Sequence, residues 1–256
     1  MDIATILGIV IGSLMLIAAI LQGGGNVGAF IDPPSILIVV GGSICSVMIA
    51  YPLKEVLKVL SVFKKTIFTN QKNVIAVIDQ VVSLSESARR DGLLALEGRI
   101  EEIDEPFLVL GIRLAIDGMS PEIVDAIMRT EMEAVEGRHS QSRNMFDLFG
   151  KFAPAFGMMG TVIGLVIMLG NFAPETVGQG MAVCLITTLY GALAANLVCI
   201  PISEKLAYYS SYELLCMEIM ARGVVAIQAG ENPRVIKQKL MTFVPPKLRP
   251  EEEEQA

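Results

Sequence analysis

Four stretches of this sequence contain no Asp, Glu, Lys or Arg: Ile3–Gln22, Pro33–Leu53, Phe152–Ala173 and Thr176–Ser203. A bilayer core of roughly 30 Å is crossed by about 20 apolar residues in a helix. Each stretch meets that length, the second most tightly. Backbone amides in lipid must bond within their own segment, so the spans are expected to be helices. The first stretch lacks the basic flank and small-residue cleavage site of a signal peptide, and it reads as a retained helix. The excess of apolar residues behind the mean hydropathy of +0.58 and the 53% hydrophobic content collects in these four stretches.

Charge sets the expected orientation. Of the 20 Lys and Arg, 13 fall in Lys54–Lys151 and seven run from Lys205 to Arg249. The connections Gly23–Asp32 and around Pro174 hold none. The positive-inside rule then places both termini, the long loop and the tail in the cytoplasm. The net charge of −7 does not oppose this, because the rule counts Lys and Arg.

The resulting fold class is an all-α membrane protein, with four transmembrane helices in two hairpins and a helical cytoplasmic domain between spans two and three. The expected division is residues 1–53, first hairpin; 54–151, cytoplasmic domain; 152–203, second hairpin; 204–256, helical extension and acidic tail. Gly23-Gly24-Gly25-Asn26 and Asp32-Pro33-Pro34 mark the first outer turn, and Tyr51-Pro52 the inner exit of span two. Val74–Arg89 carries the helical stripe Val74, Val77, Ile78, Val81, Leu84. Helices are expected again at Leu93–Ile103 and Phe107–Ile116. Ser120-Pro121-Glu122 and Asn232-Pro233-Arg234 each place a capping residue before a proline at the first helical position. The Ser120 helix can lead into span three, and span four can continue towards Ile227. Pro245-Pro246 is expected to stop the last helix, with a disordered acidic tail at Glu251–Glu254.

The spans lack a membrane carboxylate. A proton or cation pathway normally uses an ionisable residue within the membrane, so any such group must come from another chain. In span three, Pro154, Gly157, Thr161, Gly164 and Met168 share one helical stripe. Gly160xxxGly164 and Gly8xxxGly12 add small-xxx-small patterns. Span four repeats the pattern with Cys184, Thr188, Gly191 and Ala195. From spacing alone, these residues serve either helix packing or the lining of a polar pathway. Pro154 and Pro201, near the inner span ends, either shape the bundle or act as hinges. Arg89, Arg90, Glu97 and the run Glu101, Glu102, Asp104, Glu105 form either a solvated face or a docking surface. The four Cys (Cys45, Cys184, Cys199, Cys216) read as small apolar packing residues, and one His without a Cys/His cluster leaves no expected metal site. No nucleophile–base pair stands out, so no enzymatic activity is expected.

These residues together resemble the MotA/PomA family of flagellar stator A subunits, along nearly the whole chain from Met1-Asp2-Ile3-Ala4-Thr5 to the Asn232 helix. The strongest blocks are Ala153-Pro154-Ala155-Phe156-Gly157-Met158-Met159-Gly160-Thr161-Val162-Ile163-Gly164-Leu165 and Met181–Asn196. The segment Ala88-Arg89-Arg90-Asp91-Gly92 through Leu96-Glu97 is similar to the family's cytoplasmic charge motif. The resemblance implies a bacterial inner-membrane protein that rings a dimer of B-type subunits, five to two. The MotB/PomB-like partner would supply the ion-binding Asp, and the cytoplasmic domains would push on the rotor protein FliG. H+ or Na+ is the implied transported ion. Neither a cofactor nor a nucleic-acid partner is implied. By the same resemblance, Thr161 and Thr188 line the ion route, Pro154 and Pro201 couple torque as hinges, and Arg89, Arg90 and Glu97 face the rotor. Asp91 departs from the small or polar residues usual at its place, which alters the local charge balance. An ExbB/TolQ-type energiser is the nearest rival, but those proteins usually have three spans rather than four. A secondary transporter would carry its own membrane charges.

Overall fold

The computed structural model of the chain describes residues 3–58, 62, 73–170 and 174–249. All its regular elements are helical; among the described residues there is no strand. Four helices are long and apolar enough to cross a membrane, lying in Ala4–Gln22, Val27–Ala50, Pro121–Gly170 and Gly180–Gln228. The chain divides into two compact units. One takes its described residues from Met1–Asn70 and His139–Tyr208, the other from Gln71–Arg138 and Tyr209–Ala256.

In the first unit, α1 (Ile3–Gln22) leaves most of its large apolar side chains exposed, from Ile17 at 39% to Met15 at 68%. A helix apolar all round needs lipid or other helices about it. A short 3-10 turn, Val27–Phe30, precedes span two, which comprises α2 (Pro33–Ile36), a π-helical stretch at Leu37–Gly41 and α3 (Gly42–Ala50). Asp32 caps its start by accepting from the Ser35 amide at 2.9 Å and from the Ser35 hydroxyl. The helix ends at Ala50, three residues before the end of the charge-free stretch, because Tyr51 ahead of Pro52 is extended, at φ −132 and ψ 148.

The second unit is built on the expected stripe. Helix α4 (Val74–Asp91) is capped by Asn73, whose side chain accepts from the Ile75 amide, and it buries Val74, Val77, Ile78, Val81 and Leu84. These pack with Leu108 and Ile112 of α5 (Pro106–Ile116) and with Val124 and Met128 of α6 (Pro121–Gly170). Span four is α7 (Pro174–Leu193), a π-helical stretch at Ala194–Cys199 and α8 (Ile200–Gln228); Ile219, Met220 and Val224 of α8 join the same core. Asn232 caps α9 (Pro233–Met241) as expected. That helix ends before Pro245, its last turn closed by bonds from the Phe243 and Val244 amides to Leu240 and Met241. The expected turn residues Asn171–Ala173 and the tail Glu251–Glu254 lie outside the described residues.

The segment expected as a helix at Leu93–Ile103 is a 3-10 helix over Leu93–Glu102. It begins immediately after Gly92, which has φ 88 and ψ 162, a conformation that glycine adopts without steric cost. The 3-10 form repeats every three residues. It therefore puts Leu93, Leu96 and Arg99 on the inward side, with Leu96 fully buried, and turns Glu97 outward.

Candidate functional site

Spans three and four meet along their small residues. A Cβ added at Gly157 would lie 2.9 Å from the Thr187 carbonyl oxygen, and one at Gly191 would lie 2.6 Å from the Ala153 carbonyl oxygen. At Gly160 the neighbour is the Thr187 side chain, and at Gly164 it is Cys184 Sγ at 2.7 Å. The small stripe of span three is thus used within this chain, to bring two of its own helices almost backbone to backbone.

The threonines lie beside this seam, gathered at Cys184. Thr187 is fully buried, and its hydroxyl is shared between the Val183 and Cys184 carbonyls at 2.9 and 3.0 Å. Thr188, one residue on, points to the exposed side and donates to the Cys184 carbonyl at 3.2 Å. Thr161 is half-buried; its hydroxyl donates to Met158 O at 2.6 Å and its carbonyl accepts from Cys184 Sγ at 3.2 Å. Both candidate hydroxyls commit their hydrogen to their own helix. What they present outward is oxygen lone pairs, suited to a protonated carboxyl or a partly dehydrated cation. Tyr190, missed as a separate site, donates to the Phe30 carbonyl and accepts from the Asp32 amide at 3.3 Å, tying the start of span two to span four.

The two prolines sit in different surroundings. Pro154 lies inside the continuous α6, with its Cα against Gly191. Pro201 is exposed and closely follows the π-helical stretch Ala194–Cys199. A proline lacks its amide hydrogen and crowds the carbonyl four residues back.

The charged residues occupy the junction of α4 and the 3-10 helix. Arg89 and Glu97 are exposed and form no ion pair with a described residue. Arg90 differs: its Nε lies 3.0 and 3.1 Å from the Asp91 carboxylate oxygens. The hydrogen bond from Arg90 holds the Asp91 carboxyl below its ordinary pKa, and the same pairing raises that of Arg90. Arg99, which sequence reasoning passed over, supports the junction. Its Nη1 donates to Ser87 Oγ at 2.8 Å, Ser83 Oγ at 3.2 Å and the Ser83 carbonyl at 3.3 Å, and its Nε donates to Glu102 at 3.0 Å. It clamps the segment carrying Glu97 onto the helix carrying Arg89. The only signal for it was Arg99 standing three residues after Leu96 on a 3-10 ridge.

Arg99→Ala should loosen this clamp. The lost bonds contribute about 1–2 kcal/mol, the lower part of the range for bonds to a charged group because Arg99 is one-third exposed. Amide hydrogen exchange across Leu93–Glu102 should accelerate about tenfold, with exchange in Pro106–Ile116 unchanged. Unchanged exchange at both segments would remove Arg99 from this role.

Four long apolar helices and no Asp, Glu, Lys or Arg in the charge-free spans define a multi-pass membrane protein with neutral, close-packed spans. Residues 99–219 match the MotA/TolQ/ExbB proton channel family, and residues 6–92 match the motility protein A N-terminal family. Among similar proteins, YtxD of Bacillus subtilis is 40% identical over 94% of this chain and 90% of its own. Motility protein A of Borreliella burgdorferi is 38% identical, covering 97% and 96%. Chemotaxis protein PomA of Vibrio alginolyticus is 39% identical, covering 95% and 96%. The solved C. jejuni MotAB structure aligns at a TM-score of 0.90 with 28% identity, covering 96% of each chain. The flagellar MotAB stator complex of Bacillus subtilis aligns at 0.88 with 34% identity, covering 94% and 96%. The chain belongs to the MotA/PomA family of flagellar stator channel subunits, on the motility side of a group that also holds TolQ and ExbB.

Proposed function

We infer that the chain is the ring-forming A subunit of a flagellar stator in the bacterial inner membrane, with both termini in the cytoplasm. It works with a B-type partner that supplies the ion-binding Asp. The observation that carries this reading is the pairing of two facts about the spans. Their charge-free stretches hold no carboxylate, yet they present two acceptor hydroxyls, Thr161 and Thr188, beside one close-packed seam. A partner helix bearing an Asp would find there a polar neighbour in a low-dielectric site. Protonation or cation binding at that Asp changes its charge and hence its preferred position against the seam. H+ or Na+ flow then drives rotation of a ring, a pentamer by resemblance, about the partner.

Torque would leave through Arg89, Arg90 and Glu97 to the rotor protein FliG. Pro154 and Pro201, near the cytoplasmic ends of spans three and four in this orientation, would be the hinges, Pro201 lying just past a π turn. Lys and Arg at both ends of the loop and along the tail favour the cytoplasmic side for those segments.

Deleting the chain should leave flagella assembled but paralysed, and supplying it with its B partner should restore swimming; normal swimming after deletion, with no second stator present, would refute the reading. Repeating the rescue with and without sodium identifies the ion. Thr188→Ala should leave the complex assembled while lowering torque at least twofold, and Thr188→Val, which keeps the shape without the hydroxyl, should match it. If Val retains torque and Ala does not, position 188 serves packing.

A further inference from the structure

The junction that carries Arg89 and Glu97 also carries a large apolar side chain that its local fold does not bury. Leu94 is 72% exposed, the most exposed large hydrophobic among the described residues of its compact unit. The 3-10 geometry explains why. Residues three apart eclipse one another in such a helix. Leu93, Leu96 and Arg99 take the inward side, so Leu94 stands on the outer ridge with Glu97 directly behind it. The ridge is held in place rather than free to turn the leucine inward. Gly92 sets its start, Leu96 is fully buried beneath it, and Arg99 is bonded to Ser83, Ser87 and Glu102. Arg89 and Glu97, both exposed and without an ion-pair partner among the described residues, stand five residues before and three residues after it in the chain, with opposite charge.

That arrangement has the anatomy of a contact surface, with an apolar centre and a charged rim. Rim charges guide approach and orientation, but exposed ion pairs hold weakly and are screened by salt. A desolvated apolar anchor contributes to the lifetime of a contact in a way that salt does not screen.

We propose that Leu94 is the apolar anchor of the rotor-facing surface. It enters a shallow apolar cleft on a protein partner whose rim offers a carboxylate to Arg89 and a cation to Glu97. This rests on the reading of Arg89, Arg90 and Glu97 as rotor-facing. The complementary charges commit the occupant to a folded protein surface rather than to lipid, which offers no cation–carboxylate pair at that spacing around an apolar cleft.

The test uses the whole stator complex, fluorescently tagged, in cells. Its residence time at the motor is read from photobleaching recovery, and its assembly from the amount of B partner that co-purifies. Leu94→Gln should shorten residence about tenfold with co-purification unchanged. Leu94→Met, which keeps an apolar side chain of similar size, should stay within twofold of the parent. The proposal is overturned if Leu94→Gln resides normally, if Leu94→Met falls as far as Leu94→Gln, or if Leu94→Gln loses the B partner, since the leucine would then serve contacts inside the complex. Glu97→Lys separates the two levels of inference. Shortened residence with Glu97→Lys but not with Leu94→Gln removes the anchor and keeps the rotor-facing surface. Normal residence with both removes the surface itself.

Discussion

A valine at Gly191 should prevent the chain from forming a stable complex and abolish motility. The reason is what stands opposite. A Cβ there would lie 2.6 Å from the Ala153 carbonyl oxygen, 3.1 Å from the Ala153 carbonyl carbon and 3.0 Å from Pro154 Cα. All three are backbone atoms of the facing helix, so no rotamer change makes room and the two helices must separate. Overpacking a core costs about 1–3 kcal/mol where side chains can adjust; here the response is movement of a helix, and the cost should reach or exceed the top of that range. Separation would also break the Cys184–Thr161 contact that gathers the two candidate hydroxyls. The detergent-solubilised complex should therefore show a melting temperature lower by several degrees, or no complex at all. Gly137→Ala is the matched control. It lies in the same helix as Pro154 with nothing within 4 Å of an added Cβ. Removing a helix-interior glycine there should be neutral or stabilising by up to about 1 kcal/mol. An unchanged melting temperature for Gly191→Val would contradict the backbone-to-backbone seam.

The second large effect concerns charge. Glu97→Lys and Arg89→Glu should each impair swimming strongly with stator assembly intact, and Arg90→Glu should impair it less. This order follows from the pairing within the chain. Arg90 spends its charge on Asp91, whereas Arg89 and Glu97 present theirs without a partner among the described residues. Both members of the Arg90–Asp91 pair are charged at cytoplasmic pH. The Asp91 carboxyl is held below its ordinary value, so the pair is complete above about pH 4, the unperturbed carboxylate range, and is lost only as pH falls through the lowered value. Asp91→Asn should release Arg90 to face outward, and in that background Arg90→Glu should become as damaging as Arg89→Glu. Swimming speed and the fraction of motors carrying tagged stators measure both outcomes. Equal effects for Arg89→Glu and Arg90→Glu in the parent chain would show that Asp91 does not mask its neighbour.

Much of this architecture was written in single positions of the sequence. The charge-free stretches located the spans, because a charge in lipid is costly wherever it falls. Asn232 marked a helix start, since a capping side chain acts on amides two or three residues away. The Val74–Leu84 stripe named its own buried face. Each of these is a local rule, legible without knowing what the segment touches.

Other features depended on what came opposite. Thr187 and Thr188 are the same residue type, adjacent in the chain. One is fully buried and the other exposed only because the Gly157–Gly164 face of span three lies against one side of span four. The spacing of Leu93, Leu96 and Ile100 suits an ordinary helix, and it took Gly92, the buried Leu96 and the reach of Arg99 to Ser83 and Ser87 to settle a 3-10 form that turns Leu94 and Glu97 outward. The small-residue stripes were readable as surfaces for close approach, but their partner was not, because a glycine specifies only that something comes near. Local periodicity and solvation determined which segments are helical and apolar; which face meets which was decided by packing between residues far apart in the chain, where contact geometry rather than composition sets the free energy.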